Sequence, residues 1–269
     1  LRNGHPDFAA FNHDVFRNCS ARWGVMEQQP GPVNWATHNA APAPGMVRLW
    51  TWEALAHGAD FVSYFRWRQL PFGQEQTHAG LLTPDRRDAP AIREIIHVKN
   101  EMDQVGALKL TRAPVAILLD YPSLWQHEIQ PQGRAGSVLE MSRAVYSACR
   151  RFGLDVDVVS SRSDLEGYKL ILMPSLTTVD DDVVRRLKAA GATVLATPLT
   201  GSRTGEGHIP DGLAPGAFAD GLPMRVERFE SLAPFIPVPV TLDGVDYNSG
   251  LWRESVSSEA DVLALFDNG

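Results

Sequence analysis

At 269 residues, with 44% hydrophobic and 21% charged side chains, the chain is long enough to bury a substantial core and falls outside the disordered class. A net charge of -7 without any Lys/Arg run provides no electrostatic footprint for nucleic acid, and no apolar stretch approaches the roughly 20 residues that span a bilayer. No basic start leads into an apolar signal segment, and Cys19 and Cys149 stand far apart without metal-ligand spacing, so a cytoplasmic setting is expected.

The chain opens on Leu1 in an irregular stretch, LRNGHPDF, and closes on Phe266-Asp267-Asn268-Gly269; both ends are read as cuts in a longer protein. Trp23 to Glu27 reads as a short strand, followed by a Gly/Pro-rich loop to about Pro44. Met46, Leu49, Trp50, Ala54 and Leu55 recur at helical spacing, ending near Gly58. Asp60 to Trp67 is β-branched and aromatic and reads as a strand; a second long loop follows, and Pro90 opens a helix.

The texture changes after Thr111–Pro114, and the domain boundary is placed near residue 112. VAILLD (Val115 to Asp120) is a continuous apolar run of the kind buried on both faces. Val138 to Phe152 reads as a helix ending at Gly153, and Asp155 to Val159 and Lys169 to Pro174 as strands. A further helix runs to Gly191 with acids early and bases late, and Ala192 to Thr197 as the next strand. This alternation predicts an α/β fold with an open parallel sheet. No Gly-rich phosphate fingerprint follows VAILLD, which favours a scaffold or subunit-contact role over a cofactor site. Residues beyond Pro198 yield no assignment.

Catalytic groups of a parallel βα barrel sit at the carboxyl ends of its strands. Glu27 closes the first strand here, and the second delivers Arg66 and Trp67 before a loop holding Glu75 and His78. A carboxylate ending an apolar run is a poor surface residue and needs donors around it, so structural and catalytic readings of Glu27 stand about even. Arg66 is either a surface residue or an ion-pair partner of Glu27. Trp35 and Trp67 are candidates for the core, or for stacking on a sugar ring. Glu75 and His78 suit polar substrate contacts better than metal ligation, since nothing nearby completes a ligand set. Met26, Met46 and Met102 read as core filler, and neither cysteine lies near a convincing base.

The run VMEQQPGPVNWATHNAAPAPGMVRLWTWEALAHGADFVSYFRWRQLPFGQEQTHAGLL closely resembles the β-galactosidases of glycoside hydrolase family 42. APVAILLDYPSLWQHEIQ and the later TGSRTGEG and DGL segments are similar to that family's second, trimer-forming domain. The resemblance implies that residues 1–112 are the C-terminal part of a (β/α)8 barrel, strands seven and eight with their helices. It implies that 113–269 are a flavodoxin- or amidotransferase-like trimerisation domain. It further implies retaining hydrolysis of terminal β-D-galactosides without cofactor or metal, in a homotrimer, with Glu27 as nucleophile and Trp35, Glu75 and His78 as sugar contacts.

The family's acid/base glutamate, in an Asn-Glu pair on an earlier strand, has no match at a strand end here; Asn100-Glu101 falls inside a predicted helix. These residues alone are therefore expected to be nearly inactive. Other readings are another β-glycoside or arabinose-type specificity, a non-catalytic oligomerisation module, or a small-molecule-binding amidotransferase-like domain over 113–200.

Overall fold

The computed structural model describes residues 5–131, 133, 137–219, 221–233 and 235–266, so the terminal residues 1–4 and 267–269 lie outside it. The chain divides into two compact units, Leu1–Arg112 and Ala113–Gly269.

The first unit contains helix α1 (Asp7–Cys19), strand β1 (Val25–Gln28), helix α2 (Met46–Ala56), strand β2 (Val62–Tyr64) and helix α3 (Pro90–Val105). Asp7 and Phe8, read from sequence as irregular, belong to α1, which buries Ala10, Phe11 and Asp14. β1 and β2 pair in parallel with Val25 opposite Val62 and Gln28 opposite Tyr64. Their carboxyl ends therefore share one rim, and both long loops leave from it. β2 is shorter than the predicted Asp60–Trp67 strand, because Arg66 and Trp67 bond instead to the loop segment at Leu81 and Leu82.

α2 and α3 are tied at two levels. The Glu94 carboxylate accepts the free amides of Gly45 and Arg48 at the start of α2, at 2.8 and 2.9 Å, an anion placed where the helix dipole favours it. Two helical turns further along α3, Glu101 accepts from the Arg48 guanidinium and from Trp52 Nε1 at 2.7 Å. Val47, Leu81 and Ala91 form the buried centre, with Trp50, Tyr64 and Ile95 against it.

The second unit begins with strand β3 (Val115–Leu118), helix α4 (Tyr121–Ile129), helix α5 (Val138–Arg151), strands β4 (Val156–Val159) and β5 (Leu170–Met173), helix α6 (Asp181–Ala190) and strand β6 (Thr193–Ala196). These four strands form one parallel sheet in the order β4-β3-β5-β6. All four residues of β3 and of β4 are buried, which is why they read as unbroken apolar runs. β6 differs: it is the edge strand, and all four of its residues are exposed. α5 starts in a capping box between Ser137 and Glu140, and α6 starts on Asp180 and stops at Gly191 in the left-handed conformation.

Beyond residue 198 the chain is antiparallel β. Strands β7 (Met224–Ser231) and β10 (Trp252–Ser258) form a ribbon. Strands β8 (Val238–Leu242), β9 (Val245–Ser249) and β11 (Ala264–Phe266) form a three-stranded sheet in the order β11-β8-β9. A short 3₁₀ turn, Gly216–Phe218, inserts Phe218 into the core beneath the parallel sheet.

Candidate active site

Glu27 is the third residue of β1, on the rim from which both loops depart. It is exposed, and its carboxylate has no hydrogen bond or ion pair among the described residues. This corrects the expectation of a carboxylate enclosed by donors. Met26 beside it is 70% exposed, so the apolar run that suggested burial is itself uncovered. Met102 on α3 is likewise exposed and is not core filler. Neither Trp35 nor Trp67 is core: their indoles are 71% and 67% exposed.

Three hydrogen bonds staple the loop after β1 to the loop after β2. The Ala79 amide donates to the Pro32 carbonyl at 2.9 Å, Asn34 Nδ2 to the Gln74 carbonyl at 2.9 Å, and His78 Nε2 meets Gln29 Oε1 at 2.6 Å. Each staple lies beside a predicted site residue: Gln29 is two residues past Glu27, Asn34 precedes Trp35, and Gln74 precedes Glu75. The two loops thus form one wall rather than two independent excursions. Gly31 permits the approach of the two loops, and Gly80 the fold of the second loop on itself. A Cβ on Gly31 would stand 2.6 Å from that of Ala79, and one on Gly80 would stand 2.5 Å from the Gln69 amide nitrogen.

His78 is only 2% exposed, with its ring edge-on to Phe65 at 5.1 Å between centroids. Because the Gln29 side-chain oxygen can only accept, His78 Nε2 donates to it; Nδ1 is buried without a partner among the described residues. Glu75 is partly exposed and forms an ion pair with Arg66, nine residues earlier. Arg66 therefore pairs with Glu75 and not with Glu27, the partner considered from sequence. Gln29 is the residue that sequence reasoning left without a role.

Glu75 and His78 each hold a different protein partner, and among the described residues no three His, Cys, Asp or Glu side chains cluster as metal ligands would. A cavity of about 730 Å³ opens on the other side of the stapled loops, lined by Pro30, Pro42, Pro44, Val47 and Leu82. None of the four predicted site residues lines it.

In the second unit, an open parallel sheet binds ligands where its strand order reverses, here at the carboxyl ends of β3 and β5. That crevice is filled by the protein's own side chains. Asp120 accepts from the Ser123 amide and hydroxyl at 3.0 and 2.9 Å and from the Ser161 hydroxyl at 3.1 Å. Gln126 Oε1 accepts from Thr177 and Thr178 at 3.0 and 3.1 Å. Ser175 follows β5 in the left-handed conformation (φ 49°), a turn that can present a nucleophile, and among the described residues its hydroxyl meets that of Thr197. This packing is compatible with the scaffold reading.

No described helix is long and apolar enough to cross a membrane. Residues 2–105 match the family model described as β-galactosidase, and residues 113–269 match the model described as β-galactosidase trimerisation domain. A β-galactosidase from Thermus thermophilus is 48% identical over all 269 residues of the chain, which correspond to 42% of that relative. One from Halorubrum lacusprofundi is 39% identical over 236 residues, 86% of the chain and 34% of the relative. Among solved structures, the β-galactosidase of the psychrophilic Marinomonas ef1 superposes with a TM-score of 0.94 at 43% identity, covering 100% of this chain and 43% of that one. The chain therefore spans well under half the length of these relatives. The trimerisation-domain model alone covers more than half of the sequence, and the chain belongs to the β-galactosidases of glycoside hydrolase family 42.

Proposed function

We propose that these residues form part of a retaining glycoside hydrolase that releases terminal β-D-galactose, with Glu27 as its nucleophile. The observation that carries this reading is an uncompensated carboxylate on a barrel-type strand, flanked by two loops stapled through Gln29–His78 and Asn34–Gln74. Residues 1–112 then correspond to the seventh and eighth strands of the barrel with their helices, and 113–269 to the trimerisation domain. Met26 and Glu27 point to opposite faces of β1, and in that setting the remaining barrel elements border both, which accounts for their exposure here.

In the first step a Glu27 carboxylate oxygen bonds to the anomeric carbon as the glycosidic bond breaks, and the leaving oxygen takes a proton from an acid carboxyl. In the second, water gives a proton to that same carboxylate, now acting as base, as its oxygen displaces Glu27, and two inversions give net retention. The acid carboxyl must lie about 5–5.5 Å from the nucleophile. Glu101 does not fit this role, because on α3 it is bound to Arg48 and Trp52 of α2. The acid/base is assigned to an earlier barrel strand that these 269 residues do not include. The Trp35 indole offers a face to the sugar ring, and Glu75 an acceptor to its hydroxyls. His78, held by Gln29, backs the same wall and is the remaining candidate sugar contact. The substrate is a β-galactoside, the assembly a homotrimer and the setting cytoplasmic.

Glu27→Ala in the native protein at full length tests the mechanism. Turnover of nitrophenyl β-galactoside should fall at least about 10³-fold. Added azide should restore release of nitrophenol and yield α-galactosyl azide, because the external anion attacks the face that Glu27 vacated. Unchanged turnover would remove the nucleophile assignment and favour a non-catalytic oligomerisation role. A panel of nitrophenyl glycosides decides between galactoside and arabinoside specificity.

A further inference from the structure

We propose that Arg66 is a positioning residue for substrate recognition: through its ion pair it fixes the Glu75 carboxylate in the orientation that reads a sugar hydroxyl. The proposal rests on the reading of Glu75 as a sugar contact and extends it to a residue that makes no such contact itself.

The two partners are unequal. The Arg66 side chain is 16% exposed and the Glu75 side chain 45%. Glu75 sits in the loop after β2 and, left alone, has three side-chain torsions free to turn its carboxylate away from the wall. Arg66 has no such freedom. Its guanidinium carbon lies 4.7 Å over the ring of Phe65. Its carbonyl accepts the Leu81 amide at 2.8 Å, and Gly80 passes so close that a Cβ there would stand 3.0 Å from that oxygen. A fixed cation thus meets a mobile anion, and the fork of the guanidinium determines where the anion rests.

The charge balance points the same way. Arg66 Nη1 is buried and has no acceptor among the described residues, so Glu75 is the anion that compensates the guanidinium. With Arg66 anchored, Glu75 Oε2 is held and its other oxygen remains for a ligand. A carboxylate already ordered before binding loses less entropy when a hydroxyl donates to it, and it discriminates against a sugar lacking that hydroxyl.

The test uses the native protein at full length with nitrophenyl β-galactoside and its 2-, 3-, 4- and 6-deoxy analogues. Glu75→Gln identifies the hydroxyl that Glu75 reads, as the one whose removal no longer matters to the variant. Arg66→Met should lose discrimination at that same hydroxyl and no other, with kcat/KM on the parent galactoside down about 10- to 100-fold. The loss should be largely in KM, and the double variant should be little worse than Arg66→Met alone. Arg66→Lys, which keeps the charge and loses the fork, should recover part of the discrimination, and it serves as the deciding variant if Arg66→Met does not fold. Discrimination by Arg66→Met or Arg66→Lys equal to wild type, while Glu75→Gln loses it, overturns the role of Arg66 and leaves Glu75 in place. A Glu75→Gln enzyme that discriminates all four analogues normally overturns both.

Discussion

His13 is a histidine that folding keeps neutral. Burial is the main cause and the neighbouring His57 adds to it, while Asp14 opposes; together they bring the imidazole from 6.5 down to about 4. The groups around it are His57 at 5.9 Å and Trp23 at 5.2 Å between ring centroids, with Asp14 engaged by His57 and Arg17. The unfolded chain takes up this proton near pH 6.5 and the folded chain only near 4. Between those values the unfolded state binds more protons, so stability falls as pH falls through that window and is indifferent to His13 above it. Urea unfolding at pH 7.5, 6 and 4.5 should show His13→Gln losing less stability than wild type across the series. Parallel slopes for the two proteins would refute the assignment. His78 is a second buried ring, held by its hydrogen bond to Gln29. Gln29→Leu leaves Nε2–H unsatisfied and should destabilise the protein by about 1–3 kcal/mol in the same assay, with KM rising as the two loops part. A variant with wild-type stability and KM would show that the Gln29–His78 bond is dispensable.

At the scale of elements, Gly80 carries the loop that closes the wall. A Cβ there meets backbone atoms, the Gln69 nitrogen at 2.5 Å and the Arg68 carbonyl carbon at 2.7 Å, and neither can swing aside. Gly80→Ala should therefore cost about 1–3 kcal/mol and lower the melting temperature. Gly205→Ala, where a Cβ would meet nothing within 4 Å, should be nearly neutral. Equal melting temperatures for the two variants would mean that the loop moves without cost. The legible elements are those whose local chemistry and tertiary setting agree. β3 and β4 read as strands because complete burial removes polar residues from them, and α5 and α6 because Ser137, Glu140, Asp180 and Gly191 mark their ends. α4 was missed although its signals are present: Asp120 caps it and Pro122 lies in its first turn. The strands after residue 198 were unreadable for a physical reason. β7, MRVERFES, buries only Val226, so no one-sided apolar pattern is imposed on it. Glu27, Trp35, Glu75 and His78 were candidates from their places at a strand end and on the loops, and the resemblance supplied their proposed roles. Local sequence could not reveal that Arg66 chooses Glu75, because the choice is made by the path of the loop between them.

The whole molecule raises a question of assembly that the second unit poses most sharply. No residue of the β11-β8-β9 sheet is buried. Val245, Tyr247 and Leu265 are 51%, 54% and 62% exposed on it, and Leu195 on the edge strand β6 is 50% exposed. A three-stranded sheet with neither face covered has little to oppose its loss of conformational entropy. Exposed apolar area of this extent marks a surface built for contact. The match of residues 113–269 to a trimerisation domain names the number of copies to expect. Sedimentation equilibrium of the native protein at full length should return three times the chain mass at micromolar concentration. Because association stabilises the folded state by mass action, the melting temperature should rise with protein concentration. A single-chain mass together with a concentration-independent melting temperature would refute the trimer. The uncovered sheet would then have to be covered from within the same chain.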